Sequence, residues 1–399
     1  MRPEFYIGSM NRTGVWVDPS PTHPSEGSLS PEELTRYGRH LSLPGVGLEG
    51  QVRLRQARIA VVGVGGLGTP AAQYLVAAGI GTVGLVDGDR VTLSNLQRQV
   101  LYGDADVGKP KVGVAAERLR RMNGTVDVRT HETHLDSGNA LALLSQYDIV
   151  LDGTDSFPAR YLINDASWLL GIPNIHGSVL RFEGRVSVFG SPDGPCYRCL
   201  YPEPPPAGTV PGCQEAGVLG VMPGLVGVMQ ALEAIKLVCR IGQSLTGRLL
   251  LVDAMGPRFQ EVSIPRDPRC PLCGTRELRA LIDYDAWCAA PAASDSVERL
   301  VPLDVSMRLQ AGVQLIDVRE PWEWAICRLP GAQLMPMGQL DTMRSRLDPG
   351  RETIVYCHQG VRSMDAARRL AAAGFARVAH LEGGIDRWSL EVDQTVPRY

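Results

Sequence analysis

Much of what would narrow the function of this chain is missing from it. Its 399 residues carry 40 Lys and Arg against 43 Asp and Glu, a formal charge of -3. No basic excess exists to draw it to a nucleic-acid backbone. No apolar run reads as long enough to span a bilayer, so no membrane segment is expected. The first residues show no basic stretch followed by an apolar one; no secretory signal is expected, and a cytoplasmic location is. Internal repeats are absent. The nine cysteines are an odd number, and four of them fall in two C-x-x-C pairs. That pattern fits metal-binding and reactive thiols in a reducing compartment better than a disulfide framework. What remains is a globular chain, 44% apolar and long enough for two domains.

Residues 1–29, rich in Pro, Ser, Gly and Thr, read as a disordered leader. A helix is expected from Pro31, with Ser30 as cap and Glu33 closing a capping box. Strands at Arg58–Val62, Val83–Asp87 and Tyr147–Asp152 alternate with helices at Pro70–Ala78 and Lys111–Arg121. This alternation predicts an α/β, Rossmann-like doubly wound sheet over 30–280. Glu183–Phe189 alternates and reads as an antiparallel strand, Pro202–Pro211 as a surface crossover, and Val218–Ile241 as an apolar helix followed by a strand at Arg248–Asp253. The Ala-, Asp- and Pro-rich stretch 281–299 reads as a linker. A second, smaller α/β domain is expected over 300–399, with strands Leu315–Arg319 and Ile354–Tyr356 and a helix Ser363–Ala373.

Chemistry-bearing residues cluster at both ends. Gly63-Val64-Gly65-Gly66-Leu67-Gly68 is a G-x-G-x-x-G loop between a strand and a helix, suited to a phosphate. Asp87, 24 residues beyond Gly63, could reach a ribose hydroxyl. These residues alone also fit a nicotinamide-dinucleotide dehydrogenase. Asp89, then Ser94-Asn95-Leu96-Gln97-Arg98-Gln99, then Lys111 favour another reading. Hydride transfer has no need of such cations, whereas a triphosphate does as pyrophosphate leaves. Taken singly, Arg98 and Lys111 also read as solvated surface charges. Asp155, past a strand ending Asp152-Gly153-Thr154, could hold Mg²⁺.

Cys196-x-x-Cys199 and Cys270-x-x-Cys273 form a four-thiolate set that reads as structural zinc, with a redox pair as the alternative. Four thiolates leave no open position for catalysis. Cys213 reads as an ordinary loop thiol, Cys239 as core, and Cys327 as a bystander or a relay to Cys357, while Cys288 has no evident role. Near the C-terminus, Cys357-His358-Gln359-Gly360-Val361-Arg362-Ser363 follows an apolar strand and precedes a helix. Backbone N–H groups and a helix N-terminus stabilise a thiolate there, and Arg362 adds positive charge. The sulfur reads as a nucleophile.

Arg36-Tyr37-Gly38-Arg39-His40, the glycine loop, Ser94–Gln99, Asp152–Asp155 and Pro195–Leu200 together resemble the MoeB/ThiF family of ubiquitin-activating-enzyme-like adenylyltransferases. Such enzymes use ATP to adenylate the C-terminal Gly-Gly carboxylate of a small ubiquitin-fold protein. The resemblance implies that Gly66 and Asp87 hold adenosine, that Ser94, Asn95, Arg98 and Lys111 hold phosphates, and that Asp155 holds Mg²⁺. It implies that Arg39 reaches the phosphates of a neighbouring subunit, hence a homodimer, and that Cys213 forms a thioester or acyl disulfide with the carrier. Many members carry the zinc site. Ser156, counted by the same resemblance among the nucleotide-binding residues, departs from the usual Asn; a hydroxyl replaces one amide hydrogen bond but not both.

Asp317–Glu320, Leu329–Ala332, the Cys357 loop and Glu382–Trp388 resemble a rhodanese domain. Four residues, 358–361, separate Cys357 from Arg362, one fewer than in tyrosine phosphatases. The tighter loop fits a single sulfur atom, so the resemblance implies a persulfide on Cys357. Cys327-Arg328 departs from the usual Gly-His. The two domains in one chain are similar to MoeZ-type sulfurtransferases. The implied activity is adenylation of a sulfur carrier, then transfer of sulfur from thiosulfate or a cysteine desulfurase to give a thiocarboxylate. Molybdopterin synthesis is one of several pathways this would serve. The alternatives are a carrier thioester at Cys213 for conjugation, and a non-catalytic nucleotide-sensing scaffold.

Overall fold

Each half of the chain is built around its own sheet. The computed structural model describes residues 29–191, 194–205, 217–256, 258–289 and 297–399. All but the last residue of the expected leader, most of the Pro202–Pro211 crossover, and Cys213 lie outside the described residues. Two compact units divide near Trp287.

The first unit carries β1 (Arg58–Val62), β2 (Thr82–Val86), β3 (Asp127–His131), β4 (Ile149–Asp152), β5 (Asn174–Leu180), β6 (Glu183–Phe189), β7 (Arg248–Asp253) and β8 (Arg258–Ser263). They form one sheet in the order β3-β2-β1-β4-β5-β6-β7-β8. The first five are parallel and the last three antiparallel. β1, β2 and β4 are apolar runs buried on both faces, as a parallel sheet covered by helices requires. Helices Gly68–Ala78 and Lys111–Met122 cross over between strands. At the start of the described chain, Ser30 and Glu33 form the expected capping box on helix Pro31–Arg36.

Helix Val221–Cys239 corrects one expectation. It is 19 residues long with mean hydropathy 1.5, enough by length and composition to cross a bilayer. It packs instead against the sheet and helix Gly68–Ala78, burying Met222, Val226, Ala231 and Ala234. Gln230 and Glu233, also buried on it, are hydrogen-bonded to protein backbone.

The stretch 281–299, expected as a linker, begins with a helix, Tyr284–Ala289, and ends in β9 (Glu298–Leu300). Its aromatic residues explain the difference. The Tyr284 hydroxyl donates to buried Asp165 at 2.7 Å, and the Trp287 ring lies 4.5 Å from the Arg198 guanidinium. Arg198 itself forks Asp165 at 2.9 and 2.7 Å.

The second unit adds β10 (Gln314–Asp317), β11 (Gln333–Leu334), β12 (Thr353–Tyr356) and β13 (Val378–Leu381), in the order β11-β10-β12-β13-β9, all parallel. Helix Val361–Ala372 covers one face through Met364, Ala367 and Leu370. On the other face Ile385 and Trp388 of helix Gly384–Glu391 join Val305, Leu315 and Ile354.

Asp165→Ala leaves the buried Arg198 charge unpaired and should destabilise the first unit by about 3–5 kcal/mol. Tyr284→Phe removes one hydrogen bond and should cost about 1 kcal/mol. Denaturant titration followed by tryptophan fluorescence measures both, and equal effects would refute the ranking.

Candidate functional site

In the first sheet the strand order reverses between β1 and β4, and a parallel sheet binds ligands outside the carboxyl ends of such a pair. β1 runs into Gly63 and β4 into Gly153. Gly63 has φ +83°, and a Cβ there would sit 2.8 Å from the Gly153 carbonyl oxygen. A Cβ at Gly68 would collide with the Gly63 carbonyl oxygen. Only glycines allow this loop to turn so tightly into helix Gly68–Ala78.

Arg98 lies beside the loop: a Cβ on Gly66 would be 3.5 Å from its Cγ. Its guanidinium donates to the Ser94 carbonyl at 3.0 Å. The Tyr102 hydroxyl donates to the Val64 carbonyl at 2.8 Å. Asp87 accepts from the Val64 N–H and the Asp89 N–H, both at 2.8 Å. The buried Lys111 ammonium lies 2.7 Å from Asp89 and 3.8 Å from Asp87. The glycine loop, Asp87, Asp89, Arg98 and Lys111 thus share one neighbourhood. Asp87 braces the loop, and Lys111 is held by carboxylates.

Ser94 is exposed, with its hydroxyl 3.2 Å from that of Thr92, and Asn95 is half-buried. Asp155 is exposed at the carboxyl end of β4. Ser156, expected among the nucleotide ligands, has its hydroxyl on the Ala159 N–H at 3.4 Å, capping helix Phe157–Leu170. Arg39 is exposed on the short helix Gly38–Leu41.

Sequence reasoning missed what lies beneath the crevice. Asp152 and His176 are register partners on β4 and β5, both buried, with 2.9 Å between Oδ2 and Nδ1. Thr154 donates its N–H and hydroxyl to the other Asp152 oxygen, and Gln230 bridges the Asp152 and Ile175 carbonyls. Burial alone would raise the Asp152 carboxyl, but hydrogen bonds from His176 and Thr154 and the Arg160 charge hold it below the ordinary carboxylate range. Burial pushes the His176 imidazole down despite Asp152. The pair is therefore a carboxylate and a neutral imidazole. Strand pairing, which the sequence does not display, was the signal needed.

The two C-x-x-C pairs converge. All four sulfurs lie within 4.8 Å of one another. Cys196 and Cys270 are 3.5 Å apart, and Cys199 and Cys273 are 3.3 Å apart. Thiolates about a tetrahedral zinc are spaced at about 3.8 Å, so the set fits a closed metal site. The Asp267 N–H donates to Cys199 at 3.3 Å. Hydrogen bonding among the four lowers Cys199 to about 6, pulls Cys270 down, and pushes Cys196 and Cys273 up. Four sulfurs gathered this closely suit a divalent cation that takes them all as thiolates.

Cys357 ends β12 at the point where the second sheet reverses order, between β10 and β12. It is fully buried, and its sulfur accepts from the Gly360 N–H at 3.1 Å. Its carbonyl accepts from the Ile385 N–H, and that of His358 from the Asp386 N–H. Gly384, at φ +61°, lies so close to the loop that a Cβ would strike the His358 carbonyl. The Glu382–Trp388 segment therefore braces the cysteine loop from below.

Arg362, expected to add positive charge beside the sulfur, donates both terminal nitrogens to Glu323 at 2.7 Å. Glu323 also accepts from the Glu320 N–H and from the Tyr399 hydroxyl. Its burial favours the neutral acid, but these donors hold it below its ordinary range. Tyr399 stacks on His358 with ring centroids 4.4 Å apart, and burial pushes His358 down. Glu323 and Tyr399 were not found from sequence. Glu323 stands three residues after Glu320, a capping-box spacing that would have placed it at a helix start. Cys327 is buried between the Arg319 guanidinium, at 3.8 Å, and the Pro397 carbonyl, at 3.4 Å. No contact with Cys357 is seen for it among the described residues.

A nucleotide-type crevice with a cation beside its glycine loop, joined in one chain to a cysteine cradled at a helix start, defines a two-domain transferase. The profile of the ThiF family matches residues 37–272, and that of the rhodanese-like domain matches 302–391. The chain belongs to the ThiF family and carries a C-terminal rhodanese domain. It is 44% identical over 386 residues to the probable adenylyltransferase/sulfurtransferase MoeZ of Mycobacterium tuberculosis, covering 93% of this chain and 97% of that one. It is 53% identical over 263 residues to the sulfur carrier protein adenylyltransferase of Thermus thermophilus, covering 64% and 97%. With the adenylyltransferase and sulfurtransferase MOCS3 of Sus scrofa it shares 40% identity over 408 residues, covering 94% and 90%. Among solved structures, E. coli MccB with MccA-N7isoASN matches with TM-score 0.56 at 22% identity, covering 63% of this chain and 77% of that one, which concerns fold alone. The chain is an adenylyltransferase and a sulfurtransferase.

Below about pH 6.5 an unfolded histidine takes up a proton that the buried His176 refuses, so folding stability declines with falling pH. Asp152 adds a second loss below about pH 4, as acid overcomes its depressed folded value. His176→Gln should therefore reduce the drop in unfolding free energy between about pH 6.5 and pH 5. An unchanged slope would refute this.

Proposed function

We propose that this enzyme adenylates the C-terminal glycine of a small ubiquitin-fold sulfur carrier and then converts it to a thiocarboxylate with sulfur held on Cys357. The observation that carries the reading is the cradle around Cys357, whose sulfur takes the Gly360 N–H at 3.1 Å at the start of a helix. The names of the relatives support the same two chemistries.

In the first unit, Gly63 makes the turn with its own N–H on the Val86 carbonyl, the N–H groups of Gly65, Gly66 and Gly68 receive the nucleotide, and Asp87 takes the adenosine side. Arg98 and Lys111, with Ser94 and Asn95, draw the phosphates into line. Arg39 from a second copy of the chain completes the cation set in a homodimer. Mg²⁺ at Asp155 would offset phosphate charge. The carrier carboxylate displaces pyrophosphate, leaving an acyl-adenylate. Zinc at Cys196, Cys199, Cys270 and Cys273 ties the carboxyl-terminal part of the unit to its middle and takes no part in the reaction.

In the second unit, the Cys357 thiolate attacks the outer sulfur of a donor persulfide, or the sulfane sulfur of thiosulfate. The donor's sulfur–sulfur bond breaks, and a thiolate or sulfite leaves. The Cys357 persulfide then attacks the acyl carbon and AMP leaves. Resolving the resulting acyl disulfide takes a second thiol, for which Cys213 is our candidate; the products are the carrier thiocarboxylate and a disulfide that cytoplasmic thiols reduce.

Cys357→Ala should keep carrier-dependent ATP–pyrophosphate exchange and yield no thiocarboxylate by mass spectrometry. Arg98→Ala should lower exchange by about 10²–10³-fold. Normal thiocarboxylate formation by Cys357→Ala would overturn the reading.

A further inference from the structure

The Cys357 thiol is completely buried, and some group must take its proton before the sulfur can attack. His358 and Arg362 are the basic residues of the cysteine loop itself. His358 is stacked beneath Tyr399, and Arg362 is committed to Glu323. Beside the sulfur lies a chain of polar atoms. The Cys357 sulfur lies 3.6 Å from the Ser363 hydroxyl. That hydroxyl lies 3.3 Å from Nδ1 of His380. All three residues are buried, Ser363 fully and His380 to within 4%.

The placement follows from the fold. His380 is on β13, next to β12, and is in register with Val355, two residues before Cys357. It shares a sheet face with Val378, the face covered by helix Val361–Ala372, whose first turn carries Ser363. Isoleucine or valine would fill such a position on a parallel strand at no electrostatic cost. An imidazole aimed at a hydroxyl that touches the sulfur needs another explanation.

We propose that His380 is a positioning residue that accepts the Cys357 proton through Ser363. The Sγ–H proton passes to the Ser363 oxygen as the serine's own proton passes to Nδ1 of His380. The products are a thiolate that receives the Ser363 O–H, and an imidazolium whose Nδ1–H donates to Ser363. One S–H bond is lost, one N–H bond is gained, and the hydroxyl is regenerated. Before transfer the hydroxyl has two acceptors in reach, Nδ1 and the Gly360 carbonyl at 3.0 Å. Among the described residues, the elements packed about the relay carry Arg362 with Glu323 and His358 at the cysteine loop, Asp365 on the helix of Ser363, and Arg299, the register partner of His380 on β9. The inference rests on the reading of Cys357 as the sulfur-bearing nucleophile.

The test uses the full-length enzyme and peptide-resolved mass spectrometry to follow iodoacetamide alkylation of Cys357 against pH. His380→Phe should slow alkylation at about pH 7 by about tenfold, and the deficit should shrink steadily as the pH is raised and hydroxide takes over the role of base. Ser363→Ala should behave alike, and Ser363→Thr, which keeps the hydroxyl, should restore the rate. Should His380→Phe fail to fold, His380→Gln, which bonds to Ser363 but cannot take a proton, is expected to show the same pH-dependent deficit. Wild-type pH profiles in both His380 variants would overturn the relay. Persulfide loading of wild-type Cys357, seen as added sulfur mass, separately tests the reading on which the relay depends.

Discussion

The first unit depends on how closely two backbones approach at the carboxyl ends of β1 and β4. Gly63 and Gly153 meet there, and Gly68 follows so closely behind Gly63 that no side chain fits between them. Helix Gly68–Ala78 can start at the crevice only because the chain turns in this narrow space. Everything that would meet a nucleotide is arranged around that turn. Arg98 lies against Gly66, Tyr102 holds the Val64 carbonyl, and Asp87 holds the Val64 N–H. Beneath it, the Asp152–His176 pair and Gln230 supply hydrogen bonds to β4 and β5 where the strands end. A bulkier residue at the turn would shift the loop away from both sets of partners.

The second unit solves the same geometric problem with different atoms. Its sheet also reverses order, and Cys357 sits where a phosphate would sit in the first unit. Here the N–H groups of a tight loop address sulfur, and the close glycine contact comes from the following strand-to-helix turn at Gly383–Gly384. Two ligand chemistries are thus served by one rule: in a parallel sheet, chemistry collects beyond the carboxyl ends at a switch in strand order.

Much of this was legible in the residues. Apolar runs marked β1, β2, β4, β10 and β12, because strands buried on both faces need continuous apolar sequence. The glycine loop, the paired C-x-x-C motifs and the cysteine loop were visible because spacing alone defines them. Other features were hidden for physical reasons. β3 is mostly exposed and polar, and β8 is exposed along its whole length, so neither carries a burial pattern. Helix Tyr284–Ala289 is short and lies in an Ala-, Asp- and Pro-rich stretch that reads as linker; two aromatic side chains and a buried arginine hold it. Among site residues, those defined by contact rather than spacing escaped notice. Glu323 and Tyr399 lie 39 and 76 residues away from the groups they join, counted from Glu323 to Arg362 and from Glu323 to Tyr399.

Glu323 has a consequence for how this domain tolerates change. One carboxylate serves as terminus for the arginine of the cysteine loop, the cap of its own helix, and the hydroxyl of Tyr399, which in turn stacks on the residue after Cys357. A substitution at that position is therefore three lesions at once, in the loop, the helix and the tail. Residues tied to a shared hub in this way are constrained to vary together: a new side chain at 362 or 399 is compatible only with those at 323 that satisfy the remaining partners.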